Sequence, residues 1–396
     1  MKKNQLYSFF FLLIVFNMAA SFAHPITPTV IKELHLGDYM FGVALGAMLI
    51  SNFLFSPFWG KLNDCIPSKL TILFCSAGYA LGQLFFGFAT SELMIIFARM
   101  FAGIFTGGAF VSFLTYVVNV SDSNKQAQNL MISATIQSVS GAFGYFVGGI
   151  LGEMGVRLTF LVQAGILFGS GILFYLLLED DRQVRETIPF KRIVKEANPF
   201  SAFKSCRSFM TPIFLCLFGV SVLSSVGYTA FEQSFNYYLK DQFALTSSYN
   251  GIIKAAIGII SLIANATICM YLIKKTDVSK SIIGVLWICS ISMLLAILLN
   301  DLSLFIIVNV IFFAFYAITT PLLQNLVSNS SKDNYSNLIM GFYNSTKSLG
   351  GIIGSFVAGG IYTFNPKYPF IFGLISFSLA GFLAYIYYHK NRKTSY

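Results

Sequence analysis

The chain has 396 residues, of which 56% are hydrophobic and 11% are charged, and its mean hydropathy is +0.72. Soluble domains carry about 25% charged residues, and a chain of this composition cannot hide its apolar surface inside a water-soluble globule. The composition therefore excludes a soluble globular protein and predicts one that crosses a membrane many times. The formal net charge of +10 is typical of the loops that flank membrane spans, not only of nucleic-acid-binding proteins.

Few side chains in the sequence could carry out catalysis or hold a metal ion. The six cysteines form no CxxC pair, and the three histidines, His24, His35 and His389, are too scattered to share a metal. The sequence contains no Walker loop, no GxGxxG motif and no nucleophile paired with a base. We expect a protein that is not an enzyme, needs no metal or organic cofactor, and does not bind nucleic acid.

Apolar stretches long enough to cross a bilayer, about 20 residues each, recur along the whole chain and predict an all-α fold of twelve membrane spans. The predicted spans are 6–25, 40–59, 70–89, 92–118, 127–151, 158–178, 211–238, 248–273, 281–299, 302–327, 336–362 and 368–388. The longest break is charged and separates six spans from six. We therefore expect a six-helix bundle at 1–178, a linker at 179–210 and a second six-helix bundle at 211–396.

Lysine and arginine are distributed unequally between the two sides of the predicted membrane. With the N-terminus in the cytoplasm, the cytoplasmic segments hold 19 of the 26 basic residues and the outer loops hold four. The positive-inside rule then predicts that both termini and the linker lie in the cytoplasm, in a multi-pass protein of the cell membrane.

The segment "MAASFAHPITP", Met18–Pro28, has the small residues of a cleavage site for a secretory signal. Cleavage after Ala23 would leave eleven spans and destroy the division into six and six. We expect the segment to remain as the outer end of the first span, where Pro25 and Pro28 bend or unwind the helix.

The sequence repeats itself weakly at an offset near 210 residues. The segment "GYFVGGILG" at Gly144–Gly152 matches "GSFVAGGIY" at Gly354–Tyr362, and "LMIIF" from Leu93 matches "LFIIV" from Leu304. The fourth and fifth spans thus correspond to the tenth and eleventh. This spacing indicates that a six-helix unit occurs twice, related by an axis along the membrane normal.

Several short segments carry recognisable combinations of glycine, proline and charged residues. They are Pro25 and Pro28 in the first span, Gly60, Leu62, Asp64 and Lys69 around the 2–3 loop, Arg99 and Gly103 in the fourth span, Gly144, Gly148 and Gly149 in the fifth, and Glu232 in the seventh. These segments resemble motifs of the major facilitator superfamily. The resemblance is closest to its twelve-span drug/proton antiporters, in particular the small Gram-positive multidrug efflux pumps of the quinolone-resistance type.

The resemblance implies a monomeric secondary transporter whose two bundles rock about a central site and which is driven by the proton gradient. It implies gating or motif roles for the prolines, for Gly60, Asp64 and Lys69, and for the glycines of the fourth and fifth spans. The sequence departs from the family pattern at Cys65, Pro67 and Ser68. The fifth span also lacks the proline of the antiporter motif, and the tenth span lacks the family's second acid.

Glu232 is the only acid well inside a predicted span. An ionisable group at this depth is costly, so it should face the bundle interior or a wet cavity. We expect it to carry the proton or bind a cationic substrate; a structural tie to a lysine or to backbone groups is the alternative. Adding 210 to His24 gives Ser234, two residues after Glu232, so His24 and Glu232 are expected at similar depth. This suggests His24 as a proton relay, or else as an interfacial histidine at a helix end.

Two basic residues lie inside predicted spans at positions that suggest the substrate cavity. The resemblance implies a cavity role for Arg99, with a structural tie to a neighbouring helix as the alternative. Lys347 lies about 16 Å into the eleventh span at 1.5 Å per residue, on a polar helix face with Asn344, and either contacts substrate or Glu232 or forms a structural pair. Its counterpart in the repeat is Gln137.

Two functions remain open at the level of sequence. The first is proton-coupled efflux of small amphipathic compounds or drugs, with aromatic side chains and Glu232 binding a lipophilic cation. The second is export or uptake of an anionic or zwitterionic metabolite, such as a siderophore or other metallophore, a peptide or a lipid, because basic residues in the spans outnumber Glu232. In both cases the partners are a small-molecule substrate, protons and the bilayer.

Overall fold

The computed structural model describes residues 2–181, 189–330 and 336–394. Within these ranges, eleven helices are long and apolar enough to cross a membrane. They correspond to ten consecutive predicted spans and the last one, while the predicted span 336–362 is a more polar helix of 27 residues, Ser336–Tyr362. The predicted all-α polytopic membrane fold is confirmed; the sidedness of the termini stays a prediction.

Packing divides the chain into two compact units. Unit 1 consists of Met1–Leu36, Ala47–Pro199 and Ala244–Ala255, and unit 2 consists of Gly37–Gly46, Phe200–Phe243 and Ala256–Tyr396. Unit 2 thus includes the beginning of the second span, which the sequence assigns to the first bundle. Unit 1 includes the beginning of the eighth span, which the sequence assigns to the second bundle. The predicted linker 179–210 is divided between the units at Pro199.

Unit 1 is built around aromatic side chains of its first, fifth and seventh helices. Its helices are α1 (Lys2–Ala20), α2 (Ala23–Glu33), the greater part of α3 (Met40–Cys65), α4 (Ser68–Gly87), α5 (Glu92–Val120), α6 (Gln126–Met154), α7 (Val156–Leu177) and α8 (Phe190–Glu196). Phe9 stacks on Tyr116 with ring centroids 5.0 Å apart, and Phe16 meets Phe113 edge-on at 5.0 Å. All four side chains are buried and form the aromatic core of unit 1.

Unit 2 has a comparable aromatic core. Its helices are α9 (Ser201–Ser205), α10 (Pro212–Asp241), the second part of α11 (Ser247–Ala264), α12 (Met270–Lys275), α13 (Val278–Leu298), α14 (Leu302–Ser330), α15 (Ser336–Tyr362) and α16 (Tyr368–Thr394). A π-helical stretch, Asn265–Cys269, joins α11 to α12. Phe231 of α10 packs against Phe312 of α14 at 4.4 Å and against Phe370 of α16 at 5.3 Å.

The first membrane span is interrupted between α1 and α2, and not at the prolines. Pro25 and Pro28 both lie within α2, whereas the interruption falls at Ser21 and Phe22, whose N–H groups bond to carbonyls three residues back. Proline lacks an N–H, and its ring clashes with the carbonyl four residues earlier. For Pro25 that carbonyl belongs to Ser21, so the break comes one turn before the predicted bend, and the span continues to Glu33 and not to residue 25.

Glycines of α6 allow this interruption to pack closely. A Cβ atom on Gly144 would overlap the carbonyl oxygen of Met18, and one on Gly148 would lie 2.5 Å from the Cα of Phe22. A side chain at either position would therefore push α6 away from the break. This contact gives two glycines of the antiporter-like motif a packing role within unit 1.

Candidate functional site

Arg99 is a buried residue of α5, with 5% of its surface exposed. Its guanidinium donates a hydrogen bond of 3.1 Å to Oγ1 of Thr27, and its Cζ lies 3.9 Å from the centroid of the Phe86 ring. Stacking on an aromatic face while hydrogen bonding is a combination that arginine performs well. Arg99 therefore ties α5 to α2 and α4 inside unit 1, and its predicted cavity role stays a prediction.

Two side chains that the sequence did not single out as functional satisfy the broken end of α1. Nε2 of Gln163 donates to the carbonyl oxygens of Ala19, at 2.9 Å, and Ala20, at 3.3 Å. The hydroxyl of Tyr79 donates to the carbonyl oxygen of Ala20 at 3.2 Å. Carbonyls at a helix end need such partners. The sequence shows Gln163 only as a polar residue within the sixth apolar span, with no sign of which carbonyls it meets.

His24 lies in an aromatic and basic group of unit 1. Its ring stacks on Tyr145 of α6 with centroids 5.1 Å apart and an interplanar angle of 9°. Nζ of Lys254, from the beginning of α11, lies 5.8 Å from the same Tyr145 ring, and Lys254 is only 6% exposed. His24 belongs to unit 1 and Glu232 to unit 2, so the predicted relay between them stays a prediction.

Glu232 lies beside an aromatic platform in unit 2. Tyr228, one turn earlier on α10, stacks on Tyr316 of α14 with centroids 3.7 Å apart and an interplanar angle of 6°. Glu232 and Tyr228 are four residues apart on α10 and therefore share one face of that helix. Glu232 itself is partly buried. An acid next to stacked aromatic rings is suited to an organic cation with an aromatic body.

Lys347 and its predicted neighbours lie on α15. Nζ of Lys347 is 5.6 Å from the centroid of the Tyr343 ring, one turn earlier, and Asn344 is exposed beside them. Gln137, the counterpart of Lys347 in the repeat, is partly exposed on α6 and donates to Oγ of Ser133 at 3.4 Å. The substrate contacts of these residues stay predictions.

The residues of the 2–3 loop are tied to the end of α7. Nζ of Lys69 pairs with Asp180 at 2.9 Å and donates to the carbonyl oxygen of Leu178 at 3.1 Å. Ser68, which departs from the family motif, donates from its hydroxyl to Asp181 at 2.6 Å. Asp64 is partly buried near the end of α3. The charge of Lys69 thus has a local acidic partner just after the sixth span.

Three motif glycines differ in how tightly they are packed. A Cβ atom on Gly103 would overlap the carbonyl oxygen of Met48, so this glycine is needed where α5 crosses α3. A Cβ atom on Gly60 would make only an ordinary contact of 3.7 Å with Val111. Gly149 faces the beginning of α11, where a Cβ atom would lie 2.6 Å from the carbonyl oxygen of Ser247.

Comparison with known proteins places the chain in one family. The family model described as Major Facilitator Superfamily matches residues 9–355 and, in a second match, 217–396. Multidrug resistance protein 2 of Bacillus subtilis is 21% identical over 348 residues, which cover 88% of this chain and 86% of that protein. Quinolone resistance protein NorA of Staphylococcus aureus is 22% identical over 379 residues, which cover 96% and 95%.

Solved structures of other transporters share the fold. A bacterial homolog of the human lysosomal transporter Spinster matches with a TM-score of 0.79 at 12% identity, over 98% of this chain and 96% of that one. The human organic anion transporter MFSD10 matches with a TM-score of 0.68 at 16% identity, over 97% and 99%. The chain belongs to the Major Facilitator Superfamily, and it is a membrane transporter of small molecules and not an enzyme.

Proposed function

We propose that this transporter exports small amphipathic compounds across the cell membrane in exchange for protons, by alternating access. The relatives over nearly the whole chain are named as multidrug and quinolone resistance proteins, which supports export of drug-like compounds. In this proposal the protein works as a monomer with both termini in the cytoplasm, and the proton gradient is its energy source.

The observation that carries the proposal is the position of Glu232 on α10, one turn from Tyr228, which stacks on Tyr316. Both tyrosines are partly exposed, so the stacked pair can contact an aromatic compound, and the carboxylate offers a counter-charge to a cation. A carboxylate can hold either a proton or a cationic substrate. Competition between these two ligands at one group is what exchange of one for the other requires.

Transport in inverted membrane vesicles tests the proposal. An imposed pH gradient, acidic inside, should drive accumulation of a lipophilic cationic dye such as ethidium. The Glu232→Gln variant should lose the response to the gradient. Asp122→Asn, which removes an exposed carboxyl between α5 and α6, is the matched control and should transport normally. Full gradient-driven transport by Glu232→Gln would exclude Glu232 as the proton carrier.

The alternative is transport of an anionic or zwitterionic metabolite, in either direction. It was based on Arg99, Lys254, Lys347 and His24, which together outnumber Glu232 in the spans. Arg99 and Lys254 are buried among side chains of unit 1, so Lys347 is the basic residue that favours this reading. A panel of anionic metabolites that blocks dye movement better than organic cations do would support it over drug efflux.

A further inference from the structure

We infer that Tyr343 and Lys347 of unit 2 form an anion-binding subsite, and that the exported compounds carry a negative group in addition to a cationic aromatic body. The inference rests on the proposed efflux function and narrows its substrate class to elongated aromatic zwitterions. Four features of unit 2 support it.

The first feature is a pair of hydrogen-bond donors that lack an acceptor. The side chain of Tyr343 is 0% exposed, and its hydroxyl has no hydrogen-bond partner among the residues that the structure describes. Over the same residues, no carboxylate lies within ion-pair distance of the partly buried Lys347 ammonium, and its Nζ lies 5.6 Å from the centroid of the Tyr343 ring. Buried donors without acceptors are costly, and a lysine can only donate. An anionic ligand would satisfy both groups.

The second feature is the open surface next to them. Gly341, Asn344 and Ser348 lie on the flank of α15 beside Lys347, and all three are exposed. A Cβ atom on Gly341 would meet nothing within 4 Å. The Ser348 hydroxyl donates to the carbonyl oxygen of Asn344 in its own helix, at 3.1 Å. This flank is therefore accessible to a ligand, while the Ser348 hydroxyl already donates its hydrogen bond within α15.

The third feature is the register between α10 and α15. Phe218 meets Phe342 at 4.6 Å, and Tyr237 meets Tyr362 at 5.2 Å. The residue numbers in these contacts differ by 124 and 125, so the two helices run parallel and Lys347 is level with residue 222 or 223 of α10. Glu232 is nine or ten residues further along, about 14 Å away along the helix axis at 1.5 Å per residue.

The fourth feature is the aromatic platform between these two levels. Tyr228 lies between residue 223 and Glu232 on α10, and it holds the Tyr316 ring at 3.7 Å. An acid, two stacked rings, and a lysine with a tyrosine hydroxyl therefore follow one another along unit 2. A ligand that matches this order has a cation at one end, an aromatic body and an anionic group at the other.

A pair of dyes that differ only in their negative charge tests the inference. Rhodamine B carries a carboxylate beside its cationic ring system, and its ethyl ester carries the cation alone. We expect the wild-type protein to bind and transport both dyes. Lys347→Gln should weaken binding and transport of rhodamine B by about tenfold, the effect of losing one charge-assisted hydrogen bond, and should change those of the ester less than about twofold.

Three further variants separate ligand binding from a structural role. Lys347→Arg keeps the charge and should retain most of the rhodamine B transport. Tyr343→Phe removes only the hydroxyl and should weaken rhodamine B more than the ester. Lys125→Gln removes an exposed lysine before α6 and should change neither dye. Each variant is first purified to confirm an unchanged yield of monodisperse protein.

The outcomes distinguish this inference from the proposed function. Equal losses for both dyes in Lys347→Gln would overturn the inference and assign Lys347 a structural role. Wild-type protein that moves the ester but not rhodamine B would also overturn it, and the efflux proposal would stand. If the wild-type protein moves neither dye, nor ethidium, the efflux proposal fails and the inference fails with it.

Discussion

The hydroxyl of Tyr237 donates a hydrogen bond of 2.5 Å to Oδ1 of Asp38. Tyr237 is 0% exposed near the end of α10, and Asp38 lies just before α3, so this bond fastens the beginning of α3 to α10 within unit 2. Phe41 stacks on the Tyr237 ring at 4.9 Å and meets Tyr362 edge-on at 5.3 Å, while the Tyr362 hydroxyl bonds to Asp241 at 2.9 Å. Two tyrosine–aspartate bonds and one phenylalanine thus hold three helix ends together.

Tyr237→Phe should lower the free energy of unfolding by about 0.5–1.5 kcal/mol, because it removes a hydrogen bond between a buried hydroxyl and the partly buried carboxylate of Asp38. The measurement is thermal unfolding of the purified protein in detergent. Tyr249→Phe, at a residue that is 58% exposed, removes a hydroxyl without burial and should leave the midpoint unchanged. Equal midpoints for wild type and Tyr237→Phe would show that the bond does not stabilise the fold.

The repeat found in the sequence is also a repeat of close backbone contacts. In unit 2, a Cβ atom on Gly42 would overlap the carbonyl oxygen of Ser355; in unit 1, a Cβ atom on Gly251 would lie 2.5 Å from the carbonyl oxygen of Tyr145. Gly251 follows Gly42 by 209 residues, and Ser355 follows Tyr145 by 210. The same backbone approach therefore occurs once in each unit, at equivalent places of the repeat.

Two adjacent glycines of α15 should respond in opposite ways to alanine. A Cβ atom on Gly359 would overlap the carbonyl oxygen of Tyr39, whereas one on Gly360 would meet nothing within 4 Å. Gly359→Ala should destabilise the protein by about 1–3 kcal/mol through overpacking. Gly360→Ala should be neutral or stabilise it by up to about 1 kcal/mol, since alanine favours helix. The measurement is the thermal unfolding midpoint of each variant. Equal shifts of the midpoint in both variants would contradict the packing described for Gly359.

Arg99→Lys should destabilise unit 1 even though it keeps the charge. A lysine cannot both stack flat on Phe86 and donate to Thr27 as the guanidinium does, so we expect a loss of about 1–3 kcal/mol. Arg157→Lys, at an exposed residue near the start of α7, is the control. Unfolding is measured together with dye transport. Unchanged stability with abolished transport would instead support the cavity role expected from the sequence.

Gln163→Leu should weaken the junction between α1 and α2. The leucine fills a similar volume but donates nothing to the carbonyl oxygens of Ala19 and Ala20. These carbonyls keep the Phe22 N–H and the Tyr79 hydroxyl as donors, so the expected cost is that of the lost glutamine hydrogen bonds, about 0.5–1.5 kcal/mol. Hydrogen exchange of peptides that cover Ala19–Glu33 should increase in the variant. Gln128→Leu, at an exposed residue near the start of α6, controls for the loss of an amide. Unaltered exchange in Gln163→Leu would contradict this role.

Much of the candidate site could be named from the sequence, but the partners of its residues could not. Glu232, Arg99 and Lys347 are visible as charges within apolar spans because such groups are rare there. Whether each one is exposed to a ligand or tied to neighbours depends on side chains far away in the chain. Arg99 bonds to Thr27 and packs on Phe86. Among the described residues, by contrast, the Tyr343 hydroxyl has no hydrogen-bond partner, and Lys347 lies over the Tyr343 ring.

The break in the first span likewise has a part that the sequence predicts and a part that only the structure shows. A proline is visible in the sequence, and its effect on the helix is local, so a bend near Pro25 could be predicted to within one turn. The residues that satisfy the freed carbonyls, Gln163 and Tyr79, follow from no local rule.

By itself, the sequence determined an all-α protein of many spans, a twofold repeat and membership in a transporter family. These features can be read from the sequence because composition, the length of each apolar stretch and the spacing of motifs do not depend on which helices pack together. Only the tertiary structure showed that the beginning of the second span, with Gly42, packs within unit 2. It likewise showed that the beginning of the eighth span, with Gly251, packs within unit 1. Contacts of this kind depend on which backbones approach each other, and that is fixed by the packing of residues more than a hundred positions apart.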